Sequence, residues 1–262
     1  MELSKPIRSL STAARIFRDE GFEGVLDVLR RMANAKQKER DLRAILQQGT
    51  LADRFTEIDR RKYWYSPTNK ESRSGEGSTQ AFTRPYVDCL SSFLDQFKSK
   101  HHGRMIFLDA PCGDFSWIQP IAMRDDVDYI GADIVPSIVV DNRKKHKSHT
   151  VQFIELDITT DSFPDATFWH CRDCLIHLSF ANIVRSFENF AQSKIEYAMI
   201  TCAYLSDDQK NCDIVDGDFR SLDLRKPPFK LPHPVHVIPD AYLRGPRFTH
   251  VYTRDQIAGS LA

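Results

Sequence analysis

The chain has 262 residues, 41% hydrophobic and 27% charged, with 36 Lys and Arg balancing 36 Asp and Glu. That length holds one α/β domain with an extension and is short for two full domains. Zero formal charge argues against a nucleic-acid binder, and no run approaches the roughly 20 apolar residues that cross a bilayer.

Residues 5–48 read as helical. Ile7, Leu10, Ala14 and Phe17 recur at helical spacing, as do Val25, Val28, Leu29 and Met32. Gly21 and Gly24 divide the stretch. No apolar leader with a small-residue cleavage site precedes it, so a cytoplasmic protein is expected. The first fifty residues carry ten Lys or Arg against seven Asp or Glu. Such a basic amphipathic stretch suits packing on the domain or on a partner helix, with peripheral membrane contact as an alternative.

An aromatic cluster follows, with Phe55, Ile58, Tyr63, Trp64 and Tyr65, and then a polar glycine-containing loop over residues 72–78. A helix is predicted over 83–98, with Val87, Leu90, Leu94 and Phe97 on one face. From residue 104 short apolar runs alternate with helical segments. Strands are predicted at 105–109, 128–133, 151–157, 167–171 and 197–202, and two closing strands at 235–238 and 248–252, one of them antiparallel. Helices are predicted over 134–146 and 180–191. This alternation implies a mainly parallel seven-stranded sheet covered on both faces. The six cysteines, at 89, 112, 171, 174, 202 and 212, sit mostly in apolar runs and read as reduced thiols. Cys171-Arg-Asp-Cys174 has the form of a redox or zinc pair, but no second pair stands at zinc spacing, so no metal is expected.

Three acids, Asp109, Asp133 and Asp157, close the first three predicted strands. In an open α/β sheet ligands bind beyond the carboxyl ends of the strands, where the strand order switches. A nucleoside cofactor needs a tight turn after the first strand, here Gly113, and an acid after the second for its ribose. Asp133 stands 20 residues later, the expected separation. A dinucleotide turn would carry three glycines. Here Pro111, Gly113 and Phe115 alternate, Phe115 is expected to crowd a pyrophosphate, and Asp114 adds a negative charge that suits an ammonium group.

Leu108-Asp-Ala-Pro-Cys-Gly-Asp-Phe-Ser-Trp117 resembles the first motif of bacterial class I methyltransferases of the D-x-P-C-G-D type. Residues 129–136, 153–158 and 171–179 continue the likeness in order, as does the upstream Ser-Gly-Glu-Gly-Ser stretch at 74–78. The resemblance covers about residues 55–240. It implies a Rossmann-like fold, an S-adenosyl-L-methionine (SAM) cofactor with S-adenosyl-L-homocysteine (SAH) as product, and often methylation of sugars in surface glycans. It also implies a residue map. Asp109, Pro111, Cys112 and Gly113 would shape the loop around the methionine part, with Asp114 on its amino group. Asp133 would take the ribose and Ile134 would pack on adenine, which Asp157 and Ile158 border. Cys171 would complete the cofactor contacts. Ser74, Gly75, Gly77 and Ser78 would close over the cofactor and bind its carboxylate through backbone amides, helped by Arg73. The resulting division is a helical extension over 1–50, a cofactor-covering segment over 51–85 and the methyltransferase domain over 86–262.

A hydroxyl acceptor calls for a general base. Arg172, Asp173 and His177 follow the fourth strand, and four-residue spacing would put Asp173 on one helical face with His177 to orient it. Asn211, Asp213, Asp218 and Arg220 are expected acceptor contacts on the loop after the fifth strand. The expected substrate is a small-molecule or glycan acceptor, with no nucleic acid. The partner expected through the N-terminal helices is a second copy or a glycosyltransferase. A non-catalytic SAM-binding scaffold and a nicotinamide-dependent oxidoreductase are the competing readings.

Overall fold

The computed structural model describes residues 49–65, 71–240 and 247–261, and scattered positions between 22 and 47. The chain divides into two units, residues 1–48 and 49–262. In the first, residues 40–46 are helical. Most of the expected N-terminal helical surface, and its partners, lie outside the described residues. Among the described residues no helix is long and apolar enough to cross a membrane.

The second unit contains the sheet and also the 51–85 segment. It opens with helix α1, Leu51–Arg60, which the sequence reading did not anticipate. The signal is Thr50 and Asp53. Thr50 Oγ1 accepts the Asp53 amide at 3.2 Å, and the Asp53 carboxylate accepts the Thr50 amide at 2.9 Å. These bonds satisfy two donors at the helix start, and Phe55 and Ile58 face inward. Helix α2, Gln80–Lys98, starts three residues before the predicted 83. Tyr86, Val87, Leu90 and Leu94 are its buried side, at the spacing of one helical face.

The strands are β1 (Met105–Asp109), β2 (Val127–Asp133), β3 (Val151–Glu155), β4 (Phe168–Cys171), β5 (Tyr197–Ala203), β6 (His236–Pro239) and β7 (Arg247–Thr253). Their order across the sheet is β3-β2-β1-β4-β5-β7-β6. Strands β1 to β5 are mutually parallel, and β7 runs antiparallel to both β5 and β6. Four further helices join them: α3 (Gln119–Ala122), α4 (Pro136–His146), α5 (Phe180–Gln192) and α6 (Arg254–Ser260). Helix α6 is capped by Thr253 and Gln256 in the same reciprocal way as α1.

Phe107, Tyr129, Phe153 and Phe168 stack from adjacent strands into one core with Tyr86, Leu90 and Leu94 of α2. Each such side chain stabilises the fold by roughly 1.5–3 kcal/mol through burial. Gly131 is required within that layer, since a Cβ there would stand 2.6 Å from the Phe153 ring. Strand β1 lies between β2 and β4, so chain leaving β1 turns to β2 on one side while chain leaving β4 turns to β5 on the other. That is the switch point where the candidate residues gather.

Candidate functional site

The turn after β1 is held from β2. The Cys112 amide donates to Ala132 O at 2.8 Å, and the Gly113 amide donates to Asp133 Oδ2 at 3.1 Å. Asp133 Oδ1 accepts the Val135 amide at 3.0 Å. Asp133 is buried, and loss of water pushes its carboxyl up to about 6 in spite of these two amides. Asn142 of α4 donates to Gly113 O at 2.7 Å. Gly113 has φ +54°, and a Cβ on it would meet Ser74 Oγ at 2.8 Å. Pro111 and Ile134 are half-buried at the same turn, and Cys112 is buried, its thiol pushed up by desolvation.

Asp109 faces the interior. Tyr129 donates to its Oδ2 at 2.6 Å, and His170 Nδ1 bonds its Oδ1 at 2.6 Å. The other His170 nitrogen pairs with the Tyr86 hydroxyl at 2.9 Å. The Asp109 carboxylate therefore fixes the root of the turn. Phe115 corrects an expectation: it is fully buried against Tyr129 and Phe153, so it crowds nothing above the turn. The acids at the turn are the half-buried Asp114 and the buried Asp133.

The predicted covering loop does lie on this turn. Asp114 Oδ2 accepts Ser72 Oγ at 2.9 Å and the Arg73 amide at 2.6 Å. This carboxylate oxygen holds the 72–78 loop on the turn. Arg73 is likewise engaged, with Asp59 of α1 at 2.7 Å and Asp141 of α4 at 2.9 Å, and is not directed to a ligand carboxylate. Ser74, Gly75, Gly77 and Ser78 follow, with Gly75 against the Trp64 carbonyl and Ser78 buried.

Arg172 is a brace. Its Nη1 donates to Gly77 O at 3.2 Å, while Nε and Nη2 donate to the buried Asp240 at 2.9 and 3.1 Å. The guanidinium also lies over the Trp117 and Tyr86 rings. Asp173 has φ +56°, which interrupts any helical turn toward residue 177, and both its oxygens accept Arg247 Nη1 at 2.8 Å. It does not orient His177. Cys171 is fully buried, and burial pushes its thiol up.

His177 ends a short 3-10 turn, Leu175–His177. Its Nδ1–H donates to the Asp218 carbonyl at 2.8 Å, which leaves the ring lone pair on Nε2. Burial lowers its pKa, so the neutral base form dominates at pH 7. The Trp64 ring lies 4.7 Å from it and the Phe219 ring 5.8 Å. Trp64 and Phe219 are the residues the sequence reading missed as site members. Phe219 is 45% exposed, which a packing role does not explain.

The expected acceptor contacts hold the loop that carries Phe219. Asn211 donates to the carbonyls of Asp223 and Pro227 and accepts the Asp223 amide. Asp213 Oδ1 accepts the Phe180 amide at the start of α5. Arg220 is buried and donates to Leu175 O and Leu178 O. Of the four, Asp218 acts directly on the site, through its carbonyl; its carboxylate accepts the Phe219 amide. Asp157 lies two residues beyond β3, and its Oδ1 accepts the Thr159 amide and hydroxyl; Ile158 is buried.

The Gly113 amide thus binds Asp133, the Ser74 hydroxyl stands in the space that a side chain at Gly113 would occupy, and the Trp64 ring lies against His177. No family model and no curated protein matches the sequence. Among solved structures the chain is similar to magnesium protoporphyrin IX methyltransferase (ChlM) from Synechocystis PCC 6803 with bound SAH, with 14% identity and a TM-score of 0.53 over 74% of this chain and 92% of that one. The same protein with bound SAM matches at 14% identity and a TM-score of 0.52, over 79% and 99%. The chain has the Rossmann-like, seven-stranded fold of these methyltransferases.

Proposed function

We propose that this chain is a SAM-dependent O-methyltransferase acting on a small hydroxylated acceptor, with a sugar hydroxyl of a glycan as the expected target. The observation that supports it is the placement of Asp133 on the Gly113 amide at the turn after β1 and of a neutral histidine on the turn after the adjacent parallel β4. The donor set fits a cofactor without phosphate. Asp133 and Asp114 stand at the turn, and Arg73, whose amide binds Asp114, is already paired through its guanidinium with two carboxylates.

Asp133 would hold the ribose, with each oxygen keeping a further lone pair beyond its backbone bond. Ile134, Asp157 and Ile158 would border the adenine, and the backbone of Ser74, Gly75 and Gly77 would face the carboxylate. When bound, SAM supplies a methyl group already activated by its sulfonium. His177 Nε2 would take the proton of the acceptor hydroxyl, held in the right tautomer by the Asp218 carbonyl. Trp64 and Phe219 would exclude water and orient the acceptor ring. Alignment of this kind supplies up to ~7–11 kcal/mol in favourable cases.

The test is transfer of radiolabelled methyl to a panel of sugars and simple phenols. Wild type should label at least one class, and His177→Ala should lower the rate by about 10²–10⁴-fold. Unchanged transfer by His177→Ala would remove the base. Tight SAH binding with no transfer to any acceptor would favour a scaffold.

A further inference from the structure

Four charged side chains close into a ring at the carboxyl end of β4, and the proposed chemistry uses none of them. Arg172 donates through Nε and Nη2 to Asp240 at 2.9 and 3.1 Å. Asp240 Oδ1 also accepts Arg247 Nη2 at 2.8 Å. Arg247 Nη1 donates to both oxygens of Asp173 at 2.8 Å, and Arg172 Nη1 stands 3.4 Å from Asp173 Oδ2. Each cation thus touches two carboxylates, and each carboxylate two cations. Arg172, Asp240 and Arg247 are buried, and Asp173 is half-buried. The ring joins the chain leaving β4, the residue after β6 and the first residue of β7. The Asp173 amide adds β5, through Thr201 Oγ1 at 3.0 Å. Desolvation offsets much of the attraction in such buried pairs, so stability alone is a poor reason for the ring. What it does fix is the plane of the Arg172 guanidinium. That group lies over the Tyr86 and Trp117 rings, and its Nη1 donates to the Gly77 carbonyl at 3.2 Å. Gly77 belongs to the 3-10 turn Glu76–Ser78 of the cover, 95 residues away in sequence.

We propose that this ring positions the cofactor cover, and that Asp240 is a positioning residue which acts on the cover through Arg172. The inference rests on the proposed SAM site beneath that cover. Asp240 takes the Nε–Nη2 fork of Arg172, a two-bond grip that sets the guanidinium plane and aims Nη1 at Gly77. Arg247 holds Asp240 from the other side, and Asp173 holds Arg247. Without the Asp240 charge the fork loses its seat, and the Gly77 carbonyl loses a fixed donor. The start of the cover is held separately, on Asp114 through Ser72 and the Arg73 amide. Loss of the ring therefore frees the Gly77 end and leaves residues 72–73 in place. A lysine at 172 keeps the charge balance of the ring. Its compact ammonium cannot reproduce the fork on Asp240 and reach Gly77 as well.

Hydrogen exchange of the full chain is read by mass spectrometry, without ligand, on peptides from the cover and from β5 and β7. The proteins are wild type, Asp240→Asn, Arg172→Lys and, as a destabilised control, Asn211→Ala. SAH affinity of each is measured by calorimetry. Asp240→Asn and Arg172→Lys should exchange roughly tenfold faster over residues 74–79, with β5 and β7 within about twofold of wild type. Both should bind SAH about tenfold more weakly, a loss that Asn211→Ala does not share. Arg172→Lys leaves two cations and two carboxylates in the ring, so it decides the matter even where Asp240→Asn fails to fold. Unchanged exchange over the cover in Arg172→Lys would overturn the proposal, as would exchange that rises equally in β5 and β7. Faster exchange with unchanged SAH affinity would overturn the positioning role. A wild type that binds no SAH would remove the SAM reading instead, and the exchange comparison would still confirm or overturn the hold of the ring on the cover.

Discussion

Two buried titrating groups have opposite effects on stability with pH. The Asp133 carboxyl rises from 3.8 to about 6, because burial disfavours its charged form. The folded state thus binds an extra proton between those values, and stability falls by roughly 3 kcal/mol as pH rises through them. His250 is lowered from 6.5 to about 4, again by burial, between the hydroxyls of Tyr204 and Tyr252. Its contribution is lost as pH falls from 6.5 to 4, by a similar amount. The two slopes nearly cancel between pH 4 and 6. Denaturant unfolding across that range should show His250→Gln losing stability with rising pH, and Asp133→Asn gaining it. Parallel profiles in the two variants would contradict this. For His177 the expected state is the Nδ1–H tautomer with a pKa below 6.5, read from the ring nitrogen shifts by NMR. Asp133 was legible from its distance to Gly113. The partners of Asp114 and Arg172 were not, since they lie 42 and 95 residues away.

At the level of elements, the cover is a separate piece braced against the turn. Gly113→Ala places a methyl against Ser74 Oγ at a backbone angle that disfavours side chains. The expected result is at least tenfold weaker SAH binding at a stability cost of about 1–3 kcal/mol. Asn211→Ala should behave in the opposite way. It removes bonds that close the 211–227 loop, costing about 1–3 kcal/mol, and should leave SAH affinity within about twofold. Equal loss of SAH binding in both variants, measured by calorimetry, would show that the loop and the turn are not distinct. The strands were readable to within about two residues, because apolar runs bounded by polar turns leave little choice. Helices α1 and α6 were missed although both carry reciprocal caps, at Thr50 with Asp53 and Thr253 with Gln256. The short 3-10 turn before His177 was read as helical because spacing alone cannot reveal the positive φ at Asp173.

For the whole molecule, strand-helix alternation gave a parallel sheet, but the order β3-β2-β1-β4-β5-β7-β6 depends on which crossover goes to which side. Periodicity carries no such information, and the sequence left the order open. The order matters because it puts β1 beside β4, and so brings the Asp133 turn and the His177 turn to one end of the sheet. Isothermal titration of the full chain with SAH, NAD and NADP, on wild type and on Asp133→Ala, tests that claim most directly. The account predicts that SAH binds, that the dinucleotides do not, and that the substitution weakens SAH by at least tenfold. No SAH binding by wild type, or preference for a dinucleotide, would contradict it.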